Sequence, residues 1–233
     1  MNALKRFAKR RLPPTWIATL RRLRRRERPR DGHYSVALKR EDIENEGYKA
    51  FFGGGAASWE QRGRFQLDFL TAMGMGVDAR LLDVGCGPGR ASKHLVAYLD
   101  RDGYVGVDYN ADFISIATQV TDEEGLTDKR PRFAVVQNFD FALDPTSIDY
   151  ALAFSVLNHC DVEQKANFFR HIDPAMKPGG RIYISHAGWF EESYVRQSGL
   201  SCTRRIGADA FDILRYGWRK ADSIFPIVEL TRS

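Results

Sequence analysis

The chain has 233 residues, of which 43% are hydrophobic, enough for one domain with a full core plus an appendage. The three cysteines, Cys86, Cys160 and Cys202, have no C-x-x-C or other metal-ligand spacing, and the acidic residues and histidines form no clear metal cluster. No apolar run is long enough for a secretory or membrane-spanning segment. We therefore expect a cytoplasmic protein with reduced thiols and no metal site.

The first 30 residues form a basic arm that differs from the rest of the chain. They hold twelve of the 35 Lys and Arg residues and one of the 30 acidic residues, so the formal net charge of +5 divides into +11 in the arm and −6 elsewhere. Apolar residues of the arm share helical faces opposite the arginines: Leu4, Phe7 and Ala8, then Trp16, Ile17, Leu20 and Leu23. This pattern favours a helix lying on an anionic membrane surface, although nucleic-acid binding and a solvated tail would use the same charges.

The next segment, residues 31–57, is mostly polar and ends in a glycine run, which is typical of a linker or a lid. A helix is then predicted from Ser58 to about Met73. Ser58 and Gln61 have the spacing of a capping box, and Gly74 follows the last apolar position.

Residues 81–90, Leu-Leu-Asp-Val-Gly-Cys-Gly-Pro-Gly-Arg, predict a buried strand, a tight turn and the start of a helix facing a ligand. The dinucleotide fingerprint G-x-G-x-x-G would need a third glycine at position 90, where this chain has Arg90. The G-x-G-x-G spacing instead resembles motif I of the class I S-adenosylmethionine-dependent methyltransferases. That resemblance implies S-adenosylmethionine as the cofactor, bound by Asp83, Gly85, Cys86, Gly87, Gly89 and Arg90.

A second acidic residue, Asp108, ends a short apolar strand predicted over residues 103–108. In nucleotide-binding α/β folds, a carboxylate at the end of the second strand accepts hydrogen bonds from the vicinal ribose hydroxyls. We assign that role to Asp108 and expect the ring of Tyr109 to pack on the adenine.

The remaining motifs continue the alternation of strands and helices. A helix capped by Asn110 is predicted over residues 111–120, and a helix capped by Asp161 with Gln164 is predicted to extend to about residue 176. Strands are predicted at residues 133–137, 148–154 and 176–185. Residues 155–160 resemble the family's motif IV region, and residues 176–185 resemble its turn into strand five. The resemblance also implies cofactor contacts from Asn138, Phe139 and Phe154. The end of the chain fits a loop, a helix near 207–216 and an antiparallel strand pair.

Two histidines are candidates for the general base that methylation of a hydroxyl requires. His159 follows the fourth strand and His186 follows the fifth, at the edge of the sheet where open α/β folds bind ligands. A neutral imidazole suits the role because its ordinary pKa is close to neutral pH. Hydrogen bonding to the backbone is the alternative for each.

The chain is thus expected to form a Rossmann-like, doubly wound and mainly parallel sheet over residues 58–233, with a C-terminal antiparallel strand. The expected function is methyl transfer to an oxygen of a small molecule or a glycan, with the basic arm at the inner membrane face. Two alternatives stay open: an RNA or protein methyltransferase that uses the arm, and a binding module of the same fold without catalysis.

Overall fold

The computed structural model describes residue 49 and residues 56–196, 198–207 and 226–233. Four helices lie in this part of the chain: α1 (Ala56–Ala72), α2 (Ser92–Tyr98), α3 (Ala111–Glu123) and α4 (Val162–Ala175). The strands are β1 (Leu81–Val84), β2 (Tyr104–Asp108), β3 (Arg132–Val135), β4 (Ile148–Ala153), β5 (Met176–Ser185), β6 (Leu200–Ile206) and β7 (Ile227–Arg232). The basic arm and the helix predicted near 207–216 lie outside the described residues. The linker or lid predicted at residues 31–57 also lies outside them, apart from residue 49 and the first two residues of α1.

The strands form one sheet in the order β3-β2-β1-β4-β5-β7-β6. Strands β1 to β5 run parallel, whereas β7 is antiparallel to both β5 and β6. This arrangement confirms the predicted doubly wound sheet with an antiparallel strand at its C-terminal end.

Apolar side chains cover both faces of the sheet because successive strand residues point to opposite sides. Leu81 belongs to the cluster that packs against α1 and α2, and Leu82 belongs to the cluster that packs against α4. Phe65 of α1 and Phe168 of α4 are almost fully buried in their respective layers. The core therefore fixes β1, and with it the turn that follows, from both sides.

The helix caps were predicted correctly in two places and wrongly in one. The Asn110 side chain accepts hydrogen bonds from the first turn of α3, and Asp161 with Gln164 forms a complete capping box on α4. The capping box predicted at Ser58 is wrong, because α1 already begins at Ala56 and places Ser58 inside the helix. Within the described ranges, no helix has the length and apolar character to cross a membrane.

Candidate functional site

The strand order places a crevice at the carboxyl ends of β1 and β4. The chain winds outward from β1 to β3 and then crosses back to β4, so the strand order reverses between β1 and β4. Ligands of open α/β sheets bind at such a reversal. The segments after β1, β2, β4 and β5, which hold most of the predicted site residues, converge on this edge.

The turn after β1 requires glycine for two different reasons. A Cβ on Gly85 would lie 2.4 Å from the side chain of Val156, which follows β4, so only glycine lets these two segments approach. Gly87 has a φ of +57°. A Cβ added to Gly87 would have no atom of the described residues within 4 Å apart from its chain neighbours, so the backbone is open on that side. An open, positive-φ glycine between two strand ends is a suitable cradle for a ligand.

The carboxylate of Asp108 faces this turn from the end of β2. Its Oδ2 accepts a hydrogen bond from the Gly87 backbone N–H (3.0 Å), and its Oδ1 accepts one from the Asn110 N–H (2.9 Å). Burial raises the pKa of Asp108, while these backbone N–H groups lower it. Each carboxylate oxygen has two lone pairs, so Asp108 can accept hydroxyl hydrogen bonds beyond these two.

The other predicted carboxylate, Asp83, points into the protein. The Tyr104 hydroxyl donates to Asp83 Oδ2 (2.8 Å), and Ser92 Oγ lies 2.7 Å from the same hydroxyl oxygen. Gly106 makes this possible, since a Cβ there would come within 2.9 Å of the Tyr104 ring and hydroxyl. Burial raises the pKa of Asp83 to about 6, although Tyr104 and Arg90 act in the opposite direction. The geometry of Asp83 is that of a residue stabilising the strand and the turn from behind.

Arg90, the last residue of the motif, ties the turn to α1. Its guanidinium lies 5.8 Å from the centre of the Trp59 ring, and Trp59 is 2% exposed. Burial and the neighbouring charge of Arg62 lower the pKa of Arg90 to about 10, whereas Asp83 raises it. Gly63 of α1 lies directly against the Arg90 carbonyl. A Cβ added to Gly63 would be 2.1 Å from the carbonyl oxygen.

The other residues predicted to bind the cofactor differ in their burial and in their neighbours. Tyr109 is half-buried beside Asp108, and Cys86 is buried in the glycine turn, where burial raises the pKa of its thiol. Asn138 is exposed, with a positive φ, in the loop that follows β3. The rings of Phe139 and Phe154 pack instead against other aromatic rings, Phe139 on Phe168 (5.4 Å) and Phe154 on Phe69 (5.3 Å).

The two candidate bases differ sharply in burial. His159 is exposed at the end of the 3-10 turn Leu157–His159, whereas His186 is 7% exposed directly after β5. Within the described residues, His186 Nδ1 has no hydrogen-bond partner. Burial, and then the positive charge of Arg205, lowers the pKa of His186 and favours its neutral form.

The segments after β4 and β5 are joined by hydrogen bonds that sequence reasoning missed. Ser155, with a φ of +61°, donates its backbone N–H to Ser185 Oγ (2.7 Å). Asn158 Oδ1 accepts from the Ala187 N–H (2.9 Å) and from Trp189 Nε1 (2.7 Å). A strained residue at a strand end is a signal for a functional site, but that backbone angle is not visible in the sequence.

A metal centre is not evident in the part of the chain that the structure describes. There, no three His, Cys, Asp or Glu side chains are grouped closely enough to hold an ion.

Comparison with known proteins points to one family. Residues 82–182 match a family model described as "Methyltransferase domain". A Saccharomyces cerevisiae protein named as a probable S-adenosylmethionine-dependent methyltransferase is 25% identical over 146 residues, which is 62% of this chain and 44% of that protein. A ubiquinone biosynthesis O-methyltransferase of Aeromonas salmonicida is 26% identical over 138 residues, 54% of this chain and 55% of that protein. The chain thus spans about half the length of the curated relatives it matches.

Solved structures share the fold at low sequence identity. The magnesium protoporphyrin IX methyltransferase of Synechocystis PCC 6803 superposes with a TM-score of 0.60 at 19% identity, covering 85% of this chain and 100% of the other. A TehB-like methyltransferase of Corynebacterium glutamicum gives a TM-score of 0.58 at 21% identity, covering 83% and 97%.

Proposed function

We propose that the chain, whose residues 82–182 match a methyltransferase domain, is a class I S-adenosylmethionine-dependent methyltransferase and that it methylates an oxygen atom of a small-molecule or glycan acceptor. The observation that carries the proposal is the open glycine turn at the strand reversal, with the Asp108 carboxylate hydrogen-bonded to it. Oxygen as the reacting atom is supported by His186 at the same edge, which is buried and whose pKa is lowered by that burial. The Aeromonas salmonicida relative, named as an O-methyltransferase, adds weak support.

The residues present fit S-adenosylmethionine. Gly85 and Gly87 let the backbone approach the ligand closely, and Asp108 retains lone pairs for the ribose hydroxyls. Tyr109 and Asn138 lie at the ends of the next strands, where we assign them the adenine. Phe139 and Phe154 contact aromatic core residues, so we expect them to shape the site mainly by holding its walls.

When bound, the cofactor supplies a methyl group on a positively charged sulfur, which is already reactive toward a lone pair. The protein must align the acceptor oxygen with that methyl group and take up the hydroxyl proton. We assign the proton to His186 rather than His159. His186 is buried at the strand end with its pKa lowered, and an imidazole that stays neutral near pH 7 can accept a proton.

Single substitutions of the two histidines test this assignment. His186→Gln should lower the rate of methyl transfer by about 10²-fold or more, the usual contribution of a general base, while calorimetric binding of S-adenosylmethionine stays unchanged. His171→Gln is the matched control, because glutamine can still reach the Phe139 carbonyl that His171 Nδ1 contacts at 2.9 Å. A larger loss in His159→Gln than in His186→Gln would contradict the assignment.

We further propose that the basic arm brings the enzyme to an anionic membrane surface, where lipid-linked saccharides would be acceptors. The support is the net charge of +11 in residues 1–30 combined with an apolar stripe that includes Trp16. Deletion of residues 1–30 should abolish sedimentation with phosphatidylserine vesicles and leave S-adenosylmethionine binding intact. Unchanged vesicle binding, or salt-sensitive RNA binding in its place, would contradict the membrane role.

A further inference from the structure

Asn158 has an amide orientation fixed by its neighbours. Its Oδ1 lies 2.9 Å from the Ala187 backbone nitrogen and 2.7 Å from Trp189 Nε1, and both of these groups can only donate. The atom facing them must therefore be the oxygen, since a flipped amide would oppose two donors with a third. The amino group of Asn158 consequently points away from the N–H groups of Ala187 and Trp189.

That amino group is a buried hydrogen-bond donor without an acceptor among the described residues. Asn158 Nδ2 is inaccessible to solvent and has no hydrogen-bond partner among the described residues. His186 Nδ1 is in the same condition. Leaving a buried polar atom unpaired costs about 1–3 kcal/mol, so two such atoms in one small region need an explanation.

The two atoms belong to one cluster at the carboxyl ends of β4 and β5. Asn158 binds the backbone of Ala187, the residue next to His186. It also binds the indole of Trp189, whose ring centre lies 6.2 Å from that of His186. The cluster is therefore held together at the edge where the proposed acceptor must meet the cofactor.

We propose that Asn158 Nδ2 binds the reacting oxygen of the acceptor and, together with His186 Nδ1, selects a neutral hydroxyl group. This inference rests on the proposed function and goes further by giving Asn158 a direct contact with the reacting oxygen. A hydroxyl oxygen that reaches both atoms would accept from Asn158 Nδ2 and donate its proton to His186 Nδ1, which would satisfy both unpaired atoms. A carboxylate has no proton to give to the neutral imidazole, and an alkylammonium has no lone pair to accept from the amide.

The transfer balances with these two residues. An oxygen lone pair forms the new C–O bond as the C–S bond of the sulfonium breaks and leaves a neutral thioether. The hydroxyl proton passes to His186 Nδ1, and Asn158 continues to donate to the same oxygen. The imidazolium then returns its proton to solvent.

Replacing Asn158 by Asp separates the two functions of the side chain. Aspartate keeps an oxygen for the Ala187 and Trp189 N–H groups but replaces the donor with a second acceptor. Asn167→Asp is the matched control, because Asn167 Oδ1 accepts from Arg170 on α4 and an aspartate there can do the same. Trp189→Phe removes one bond to Oδ1 and leaves the donor in place.

The experiment uses the full chain and four probes in the presence of S-adenosylhomocysteine. Catechol and methyl glucoside are the hydroxyl compounds, benzoate represents a carboxylate, and benzylamine represents an alkylammonium. Side-chain ¹⁵N resonances of Asn158 and His186 report binding, and tritium transfer from S-adenosylmethionine reports methylation. We expect both resonances to move with a hydroxyl probe, and Asn158→Asp to lower its kcat/KM about tenfold or more with cofactor affinity unchanged.

Several results would overturn this inference. They are resonances that respond only to benzoate or benzylamine, resonances that respond to no probe, or an Asn158→Asp protein as active as Asn167→Asp. Failure of the proposed function would look different: the wild-type protein would then bind no S-adenosylmethionine in calorimetry, or would bind it and methylate neither hydroxyl probe. Loss of activity in Trp189→Phe equal to that in Asn158→Asp, with unmoved resonances, would assign Asn158 to loop anchoring alone.

Discussion

At the scale of single residues, two carboxylates only 25 positions apart have different roles because their neighbours differ. Asp108 contacts backbone N–H groups of the glycine turn and of Asn110, at the edge of the sheet. Asp83 contacts the Tyr104 hydroxyl inside the protein. The residue type and the motif spacing suggested a cofactor contact for both, but the partner of Asp83 lies 21 residues away in sequence and only the folded sheet reveals it.

The pH dependence of methyl transfer should respond to Arg205. Burial and the charge of Arg205 lower the pKa of His186, so its neutral form persists to lower pH than that of an ordinary histidine. Removing that charge in Arg205→Gln should raise the pKa of His186, and the acidic limb of the kcat/KM profile should move to higher pH. The variant should therefore lose more activity at pH 6 than at pH 8.

The neighbouring arginine provides the control for this measurement. Arg204 lies beside Arg205 on β6 and contacts the Met73 sulfur instead, so Arg204→Gln should leave the acidic limb in place. Identical profiles for Arg205→Gln and the wild type would contradict His186 as the base.

Asp83 should make the stability of the protein depend on pH. Its pKa is about 6 in the folded protein against 3.8 ordinarily, so the folded state holds more protons than the unfolded state between these values. The free energy of unfolding contributed by Asp83 is therefore highest below pH 3.8 and is lost as the pH rises to about 6. Asparagine at this position can still accept from Tyr104 but cannot ionise.

Chemical denaturation of Asp83→Asn and the wild type at pH 5 and pH 7.5 tests this linkage. The stability of the variant relative to the wild type should increase by roughly 1 kcal/mol between the two pH values. Asp128→Asn, in the exposed 3-10 turn before β3, controls for the loss of one negative charge. If the difference in unfolding free energy between variant and wild type is equal at both pH values, burial does not raise the pKa of Asp83.

At the scale of elements, local signals were sufficient for most helices and strands. The caps of α3 and α4 were predictable because a cap involves residues within one turn of each other. The start of α1 was not, since α1 is held by packing of Phe65 and Trp59 on the sheet and on Arg90 rather than by its first turn. Tertiary contacts of this kind override a cap motif.

Gly63 is the tightest point between α1 and the glycine turn. Elsewhere in a helix, Gly→Ala stabilises by about 1 kcal/mol, but here the new Cβ would lie 2.1 Å from the Arg90 carbonyl oxygen. Gly63→Ala should therefore destabilise the protein by about 1–3 kcal/mol and weaken S-adenosylmethionine binding, because Arg90 must move. Thermal unfolding and calorimetry measure the two effects.

An exposed position of the same helix provides the reference. Gln61→Ala changes α1 without touching the turn, and it should preserve both the melting temperature and the cofactor affinity. A Gly63→Ala protein that melts at a higher temperature than the wild type would mean that α1 is not pressed against the turn.

At the scale of the whole molecule, the alternation of strands and helices was enough to predict a doubly wound, mainly parallel sheet with a C-terminal antiparallel strand. The acceptor side was not predictable in the same detail. His159 and His186 look equivalent in sequence, and only the pairing of β4 with β5 shows that one is exposed and the other buried beside Asn158 and Trp189. The chemistry at that edge depends on contacts between segments about 30 residues apart.

We propose that the glycine turn and Asp108 together bind S-adenosylmethionine. Isothermal titration of S-adenosylmethionine into the wild type, Asp108→Ala and the exposed control Asp128→Ala tests it most directly. We predict micromolar binding by the wild type and the control, weakened by about 1.4 kcal/mol or more, or tenfold, in Asp108→Ala. Equal affinity in all three proteins would contradict the ribose contact, and no binding by a folded wild type would contradict the enzyme itself.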